Sequence, residues 1–254
     1  MARVIASYNQ KGGVGKSSLS CNLGAALAES GKKTLLMDID AQCSLTKFLG
    51  VKQDGLNTIN EVLLGTSTIE EVTIKHSKNL SLVPCSKAID NTQFNLFQSM
   101  GRERILQRAM RGVDEKYDYV IIDCPPANNL MTVNALTYAS ELMIVLQPEP
   151  AALEGVAQLV NHYNLVKSNE LNPDLEILGV VCNMCSPNLT VHKEVVGMIS
   201  DFFGGKVFKT IVPRRILYAE ATGQGKTILE YKPKSEEANI VRQLAKEVIK
   251  RRTK

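Results

Sequence analysis

The sequence predicts an α/β fold, with a doubly wound, mostly parallel sheet and helices on both faces, in a single domain over residues 1–254. Apolar runs of strand length recur along the chain and are separated by stretches in which apolar residues have helical spacing. This alternation is typical of a parallel sheet that is covered on both sides. The chain of 254 residues is 44% hydrophobic, so it has enough apolar surface to form one large core.

The predicted strands and helices alternate from the N-terminus onward. The predicted strands are Val4–Ser7, Thr34–Met37, Leu80–Pro84, Tyr119–Ile122, Leu142–Leu146, Ile177–Cys182 and Val207–Ile211. The predicted helices are Ser17–Glu29, Arg102–Arg111, Met131–Ala139, Gly155–Lys167, His192–Phe202 and Glu236–Arg252. Prolines and glycines predict long loops over residues 183–188 and 214–234.

The composition argues against a membrane-spanning protein and against a disulfide-rich secreted protein. No apolar run approaches the roughly 18 residues that a transmembrane helix needs. The N-terminus lacks the apolar stretch of a signal peptide. Six cysteines lie mostly within apolar segments without the spacing of a disulfide framework, which favours buried thiols in a reducing compartment. We therefore expect a cytoplasmic protein.

Basic charge is concentrated at the C-terminal end of the chain. Residues 206–254 contain 13 Lys and Arg against 5 Asp and Glu, whereas residues 1–205 contain 17 against 21. Such asymmetry indicates contact with a polyanion, either nucleic acid or an anionic membrane. A basic surface that is only solvated is the alternative interpretation.

Residues 11–18 form a glycine-rich segment, Lys-Gly-Gly-Val-Gly-Lys-Ser-Ser, between the first predicted strand and the first predicted helix. In a strand, loop and helix of this order, the backbone N–H groups of the loop and the helix N-terminus face phosphate groups. We expect Lys16 to contact the β- and γ-phosphates and the Ser17 hydroxyl to contact Mg²⁺. A second lysine, Lys11, lies near the position where the ordinary pattern has a glycine.

Carboxylates follow two of the predicted strands. Asp38 and Asp40 lie at alternate positions after the second strand, and Asp123 follows the fourth. The carboxyl ends of parallel strands form the edge at which an open α/β sheet binds its ligand. We expect one carboxylate of the first pair to engage the Mg²⁺ shell while the other orients an attacking water. Asp123 is expected beside the metal, within reach of Ser17.

These motifs resemble those of the ParA/MinD superfamily of ATPases. Residues 11–17 resemble its deviant Walker A motif, Lys-Gly-Gly-x-Gly-Lys-[Ser/Thr]. Residues 38–42 resemble its Asp-x-Asp-Pro-Gln switch, with Ala41 in place of the proline, and residues 119–126 resemble a Walker B strand. The resemblance implies a P-loop NTPase fold that binds ATP and Mg²⁺.

The resemblance also implies roles for individual residues. Lys11 is expected to reach the nucleotide of a second subunit, so that dimerisation depends on ATP. Asp40 is the carboxylate expected to be critical for hydrolysis. The implied catalytic residues are therefore Lys11, Lys16 and Asp40, and the implied metal-binding residues are Ser17, Asp40 and Asp123.

Further resemblance extends along nearly the whole chain. Residues 147–155 look like the family segment that ends in Ala-Leu-Glu-Gly and helps form the dimer face. Residues 212–226 resemble a family stretch in which a Pro-Arg backbone lies against adenine, and Asn183 falls where many relatives read the adenine edge. The residues expected to bind the nucleotide are Lys11, Gly12, Gly13, Val14, Gly15, Lys16, Ser17, Ser18, Asn183, Pro213 and Arg214.

One departure from the family pattern concerns DNA. The second arginine of the family stretch, which is associated with DNA binding, falls on Leu217 here, while Arg215 replaces an asparagine. Binding of DNA would therefore need a partly rearranged basic surface with salt-sensitive, sequence-independent contacts. The candidate phosphate contacts are Lys193, Lys206, Lys209, Arg215, Lys232, Lys250, Arg251 and Arg252.

The function that the resemblance implies is a weak Mg²⁺-dependent ATPase in plasmid or chromosome segregation. It would form a homodimer with ATP, bind non-specific double-stranded DNA, associate with the nucleoid and be stimulated by a ParB-like partner. One alternative is a MinD-like switch that positions cargo or binds a membrane, which would need an exposed amphipathic tail. Another is an iron–sulfur carrier that uses Cys182 and Cys185, which have Cys-x-x-Cys spacing.

Overall fold

The computed structural model describes residues 2–186 and 189–251 and contains one seven-stranded sheet. Its strands are β1 Arg3–Tyr8, β2 Thr34–Asp38, β3 Ile74–Lys75, β4 Leu80–Val83, β5 Tyr119–Asp123, β6 Glu141–Leu146 and β7 Glu176–Cys182. They are ordered β3-β4-β2-β5-β1-β6-β7 across the sheet. All neighbouring strands are parallel except the short edge strand β3, which is antiparallel to β4.

The α-helices of the described residues fill the connections. They are α1 Lys16–Glu29, α2 Ser44–Phe48, α3 Ile59–Leu63, α4 Ile69–Val72, α5 Ile89–Leu96, α6 Ile105–Ala109, α7 Leu130–Tyr138, α8 Ala152–Ser168, α9 Thr190–Phe203, α10 Ile216–Gly223, α11 Ile228–Tyr231 and α12 Glu236–Lys250. Short 3-10 turns cover Arg102–Arg104, Asp114–Lys116 and Gly204–Lys206. Among these described helices, none combines the length and apolar character needed to cross a bilayer.

Side chains at alternate strand positions enter two separate apolar cores. In β1, Val4 and Ala6 belong to one core and Ile5 belongs to the other. In β5, Val120 and Ile122 lie on the first side, whereas Ile121 lies on the second. The pleat sends successive side chains to opposite faces, and both faces are buried under helices. The predicted doubly wound α/β fold is therefore confirmed, whereas the single-domain boundary over 1–254 stays a prediction.

The predicted strand Val207–Ile211 is wrong. This segment runs beside β7 and makes an isolated bridge between Val180 and Val207. The Glu247 carboxylate of α12 accepts hydrogen bonds from the backbone N–H groups of Lys209 and Thr210 at 3.0 and 2.7 Å. Because a side chain binds these donors, the segment does not continue a strand ladder with β7.

The predicted long loop over residues 214–234 is also wrong, because it contains α10 and α11. Thr227 caps α11 by accepting a hydrogen bond from the backbone N–H of Glu230, whose carboxylate accepts one from the Thr227 backbone in return. The predicted helix Arg102–Arg111 is a 3-10 turn followed by the short α6. The other predicted helices are present with ends shifted by a few residues.

Candidate functional site

The glycine-rich loop connects β1 to α1 at the carboxyl edge of the sheet. Gly13 and Gly15 have φ values of 77° and 80°, in the left-handed region that favours glycine. A Cβ atom at Gly15 would lie 2.5 Å from Asn183 Nδ2 and 2.9 Å from Met184 Cε. Both the backbone conformation and the close packing against the end of β7 therefore require glycine at position 15.

Two asparagine side chains fix the loop to neighbouring strands. The Asn9 amide donates to the carbonyl of Val145 at 2.7 Å, and its Oδ1 accepts from the backbone N–H of Lys11 at 2.9 Å. The Asn183 amide donates to the carbonyl of Val14 at 2.8 Å. Asn183, for which contact with the adenine edge stays a prediction, thus holds the phosphate loop in place.

The two lysines of the loop lie in different environments. The Lys16 residue is 6% exposed, and its Nζ is 3.5 Å from the carbonyl oxygen of Lys11. Burial lowers the pKa of Lys16, although Asp123 and Asp40 act in the opposite direction. A buried ammonium at a helix N-terminus attracts an anion strongly. The Lys16 environment therefore fits the predicted phosphate contact.

The Lys11 side chain instead points away from the phosphate loop and forms an ion pair with Glu149. Its Nζ is 2.6 Å from Glu149 Oε2, and the two side chains are 45% and 37% exposed. Glu149 Oε1 accepts a second hydrogen bond from Gln147 Nε2 at 2.6 Å. The hydrogen bond from Lys11 lowers the pKa of the Glu149 carboxyl group. Lys11 is accordingly held at the surface, away from the cavity that Lys16 faces.

Three carboxylates lie at the adjacent ends of β2 and β5, where Asp38 is in register with Asp123. Asp38 accepts hydrogen bonds from Thr46 Oγ1 at 2.7 Å and from the Thr46 and Asp40 backbone N–H groups at 2.8 and 3.2 Å. Burial raises the pKa of Asp38 to about 6, although the Thr46 bonds lower it. Asp38 thus shapes the loop that presents Asp40.

Asp123 is fully buried beneath the phosphate loop. Ser20 Oγ donates to its Oδ1 at 3.2 Å, whereas its Oδ2 has no hydrogen-bond partner of good geometry among the described residues. Burial and the negative charge of Asp38 raise the pKa of Asp123 to about 7, against the opposing effects of Ser17 and Lys16. A buried acceptor without a donor, beside a serine hydroxyl and Asp40, is the oxygen-rich environment that Mg²⁺ prefers.

One cavity of about 750 Å³ brings most of the predicted site residues together. This volume is in the range of sites for cofactors and small molecules. The predicted residues that line it are Gly12, Gly13, Gly15, Lys16, Ser17, Ser18, Asp40, Asn183, Pro213, Arg214 and Arg215. The Val14 side chain is buried, and the Lys11 side chain points to Glu149 instead.

The cavity also contains residues that sequence analysis missed. Its far wall is formed by α2, α10 and α12, and the residues concerned are Phe48, Ile216, Tyr218, Ala219, Thr222 and Val241. The region of α10 was predicted as a loop, so no helical face was available to place the four side chains that α10 contributes. Their apolar character suits contact with the flat face of a nucleotide base.

The predicted DNA contacts lie in several places, and some already have partners in the chain. Arg251 donates to the carbonyls of Leu178, Lys206 and Val207, and its guanidinium lies 3.9 Å from the Phe208 ring centroid. Two others pair with acids: Arg215 Nε is 3.6 Å from Glu237 Oε1, and Lys206 Nζ is 4.0 Å from Glu176 Oε2. The remaining described residues of the set are exposed: Lys193, Lys209, Lys232 and Lys250. Arg252 lies outside the described residues.

Leu217, the departure from the family pattern, is half-buried in α10 and packs against one of the two cores.

Cys182 and Cys185 are both buried at the end of β7. Burial raises the pKa of Cys182 to about 11 and that of Cys185 to about 12.

The buried carboxylates predict how the stability of the nucleotide-free protein depends on pH. The folded-state pKa values of about 6 for Asp38 and about 7 for Asp123 exceed the ordinary value of 3.8. The folded state therefore binds more protons than the unfolded state between these values, so the free energy of unfolding falls as pH rises through that window.

We expect the melting temperature of the nucleotide-free protein to rise by a few degrees between about pH 8 and about pH 6. Scanning calorimetry across a pH series would measure this change. The variant Asp123→Asn keeps the side-chain shape but cannot ionise, so its profile should be flatter. A profile for Asp123→Asn that parallels the wild type would show that Asp123 does not retain a proton in this range.

A parallel sheet with a glycine-rich loop between β1 and α1, and with carboxylates at the ends of β2 and β5, defines a P-loop nucleotide-binding protein. Residues 2–177 match the family described as an AAA domain. The chain is 40% identical over 251 residues to the sporulation initiation inhibitor protein Soj of Bacillus subtilis, covering 98% of each protein. It is 38% identical to the chromosome partitioning protein ParA of Myxococcus xanthus, over 100% of this chain and 90% of that protein. The chain belongs to the ParA/Soj family of P-loop ATPases.

A solved structure supports the fold assignment. Cobyrinic acid a,c-diamide synthase from Mycobacterium smegmatis, with bound ADP and magnesium, matches this structure with a TM-score of 0.84. The two chains are 33% identical, and the match covers 97% of this chain and 93% of the other. The phosphate-loop architecture of this chain is thus shared with a protein that was crystallised with a nucleotide.

Proposed function

We propose that this protein is a Mg²⁺-dependent ATPase that acts as a switch in the segregation of a plasmid or chromosome. With ATP it would form a homodimer that binds DNA without sequence preference, and hydrolysis would reverse both steps. The observation that carries this proposal is the separation of the two lysines. Lys16 faces the cavity of its own subunit, whereas Lys11 is exposed at the surface.

The residues around the cavity suit ATP and magnesium. Lys16 and the loop N–H groups would bind the phosphates, and the Pro213 and Arg214 region would lie along the adenine. Ser17, Asp40 and Asp123 would hold Mg²⁺, which neutralises phosphate charge when it is bound. The Asp40 carboxylate, at the cavity wall, would orient the attacking water. We expect slow turnover by the protein alone and stimulation by a ParB-like partner protein.

The ion pair between Lys11 and Glu149 bears on the dimer. An exposed ion pair of this kind stabilises its geometry by only about 0 to 1 kcal/mol. Contact with the phosphates of a nucleotide in another subunit would give Lys11 a more highly charged partner. Lys11 would therefore lose little free energy when it leaves Glu149 to contact the phosphates of the nucleotide in the other subunit. Dimerisation would then depend on that nucleotide.

Replacing Lys11 with alanine is expected to leave a protein that binds ATP but stays monomeric. Light scattering with ATP, and with ADP as the reference nucleotide, would measure the mass. Glu149→Gln is the matched variant, because it removes the in-chain partner of Lys11 while keeping the lysine. It should dimerise with ATP at least as readily as the wild type. An ATP-dependent dimer of Lys11→Ala would exclude the proposed contact between subunits.

The basic surface is proposed to bind the phosphate backbone of DNA. Dimerisation would roughly double the number of lysine and arginine contacts, so affinity would increase steeply in the ATP state and fall with salt. The exposed members of the candidate set are the best placed for this contact: Lys193, Lys209, Lys232 and Lys250. The proposed location in the cell is therefore the cytoplasm, in association with the nucleoid.

The packing of α12 argues against the MinD-like alternative. A membrane anchor needs an amphipathic helix whose apolar face is free to enter the bilayer. In α12 the apolar residues Val241, Leu244 and Val248 are buried in a core, and the helix packs against α1. Pelleting with anionic liposomes and ATP would test this alternative directly.

A further inference from the structure

A buried tyrosine hydroxyl joins three segments at the carboxyl edge of the sheet. Tyr8 is the last residue of β1, and its side chain is fully buried in one of the two cores. The hydroxyl donates a hydrogen bond to Oδ1 of Asn128, in the connection between β5 and α7. His162 Nδ1, on α8, lies 3.4 Å from the same hydroxyl oxygen. Asn128 and His162 are 120 and 154 residues from Tyr8 in the sequence, so the fold brings them together.

Gln10 supplies a second donor to the same asparagine oxygen. Its Nε2 donates to Asn128 Oδ1 at 3.0 Å. Asn9, between Tyr8 and Gln10, donates instead to the carbonyl of Val145 in β6 at 2.7 Å. Because β1 lies between β5 and β6 in the sheet, the segment that enters the phosphate loop is anchored on both sides. Asn128 provides the anchor on the β5 side.

Residues 124–129 form the loop between β5 and α7, which we call the β5–α7 loop. At its start, the N–H group of Cys124 donates to a backbone carbonyl of β1 at 3.2 Å. At its end, the Asn129 side chain caps α7 by accepting a hydrogen bond from a backbone N–H group in the first turn of that helix at 3.1 Å. Between these two contacts, the bond from Tyr8 to Asn128 joins the loop to the end of β1.

The β5–α7 loop borders the groups that are proposed to act in hydrolysis. It begins directly after Asp123, and its Pro126 lines the nucleotide cavity together with Asp40. A second cavity, of about 220 Å³, is also lined by Asp40 and by this loop. The loop residues that line the second cavity are Pro125, Pro126, Ala127 and Asn129. The position of the loop therefore determines the shape of the space beside Asp40.

We propose that the Tyr8 hydroxyl is a positioning group for ATP hydrolysis, because its bond to Asn128 fixes the β5–α7 loop beside Asp40. A water that attacks the terminal phosphate must lie within reach of Asp40, and the neighbouring loop limits the places that this water can occupy. A loop that moves more freely admits more positions of the water, and few of them allow reaction. This inference rests on the ATPase function proposed above.

The bond between Tyr8 and Asn128 is separate from the groups that are proposed to bind the phosphates. Neither residue, although the structure describes both, lines the nucleotide cavity. The phosphate loop also keeps its hydrogen bonds with Asn9 and Asn183 when the tyrosine hydroxyl is removed. Loss of the hydroxyl should therefore lower kcat for ATP hydrolysis and leave KM for ATP nearly unchanged.

The test compares the full-length wild type with Tyr8→Phe, Asn128→Ala and the double variant. Tyr8→Phe keeps the ring in the core, so its melting temperature should fall by no more than a few degrees. We expect its kcat to be at least about tenfold lower, with KM for ATP within about twofold of the wild type. Asn128→Ala removes the acceptor and should be at least as slow. The double variant should be no slower than Asn128→Ala, because both lack the same bond.

Tyr163→Phe is the matched control. It removes another tyrosine hydroxyl, which donates to the carbonyl of Leu175 at 2.9 Å and lies on α8. This variant should have the kcat and KM of the wild type.

Hydrogen exchange without nucleotide reports on the contact itself and does not depend on ATPase activity. Amides in peptides that cover residues 127–132 should exchange faster in Tyr8→Phe than in the wild type, because the loop has lost its bond to β1. Peptides that cover α12 should exchange at the wild-type rate in both proteins.

Three outcomes would overturn the proposal. A Tyr8→Phe protein with wild-type kcat would show that hydrolysis does not need the hydroxyl. Unchanged exchange at residues 127–132 would show that the hydroxyl does not hold the loop. A higher KM, or equal slowing of Tyr163→Phe, would show a general effect on the structure. A wild-type protein without ATPase activity would instead overturn the proposed function, while the exchange data would still show whether Tyr8 fixes the loop.

Discussion

Replacing Lys16 with alanine is expected to abolish ATP binding. The Lys16 ammonium is buried at the N-terminus of α1 and is the positive charge of the phosphate loop that lines the cavity. Loss of a charge-assisted contact in a buried site should weaken ATP affinity by at least about 100-fold, which corresponds to about 2.8 kcal/mol. Isothermal titration calorimetry with a non-hydrolysable ATP analogue would measure the change.

The same substitution should not damage the nucleotide-free protein. Burial of an ammonium group destabilises the fold when no anion is bound, so Lys16→Ala should melt at the same temperature as the wild type or higher. Lys78→Ala, at an exposed lysine, is the control and should bind ATP normally. A folded Lys16→Ala protein with wild-type affinity for ATP would contradict the assignment of the phosphate loop.

Replacing Asp40 with alanine is expected to stop hydrolysis while leaving ATP bound. Asp40 is 9% exposed, lines the same cavity as Lys16 and Ser17, and accepts a hydrogen bond from the Gln42 N–H at 2.9 Å. Its position fits a residue that orients an attacking water, and loss of such a group lowers the hydrolysis rate by at least about 100-fold. Single-turnover measurements with radiolabelled ATP would separate this step from binding.

Two matched variants make the experiment on Asp40 specific. Asp40→Asn retains the size of the side chain and an oxygen for the Gln42 N–H, so it tests the charge alone and should be equally inactive. Asp54→Ala removes an exposed carboxylate and should hydrolyse ATP like the wild type. Normal turnover by Asp40→Ala would show that another group orients the water.

The central strands could be predicted from the sequence because each is a continuous apolar run that is buried on both faces. β1, β2, β5 and β6 contain the predicted runs almost residue for residue. The strand predicted at 207–211 failed because Glu247, far along the chain, binds the backbone donors of that segment. Such tertiary contacts leave no local pattern in the sequence.

Three short helices did have a local signal that the sequence analysis did not use. α3, α4 and α11 each begin after a threonine that is followed three residues later by a glutamate, and each of these pairs forms a capping box. The pairs are Thr58 with Glu61, Thr68 with Glu71 and Thr227 with Glu230. This pattern marks a helix N-terminus even where the helix is too short to show apolar periodicity.

The site could be predicted where it is built from residues that are close together in the sequence. The order of strand, glycine-rich loop and helix placed Lys16 and Ser17, and the strand ends placed Asp40 and Asp123 at one edge of the sheet. The contact of Lys11 with Glu149 joins segments that are distant in sequence. This pairing follows from the order of the strands across the sheet, which the sequence alone did not specify.

The most direct test of the proposed switch is the binding of Asp40→Ala to random-sequence duplex DNA, with ATP or with ADP, across a salt series. Light scattering would report the mass of the protein in the same solutions. We expect a dimer with ATP only, and we expect that dimer to bind DNA with an affinity that falls steeply with salt. An ATP-dependent dimer that does not bind DNA would contradict the proposed function and would direct attention to the loss of the family arginine at Leu217.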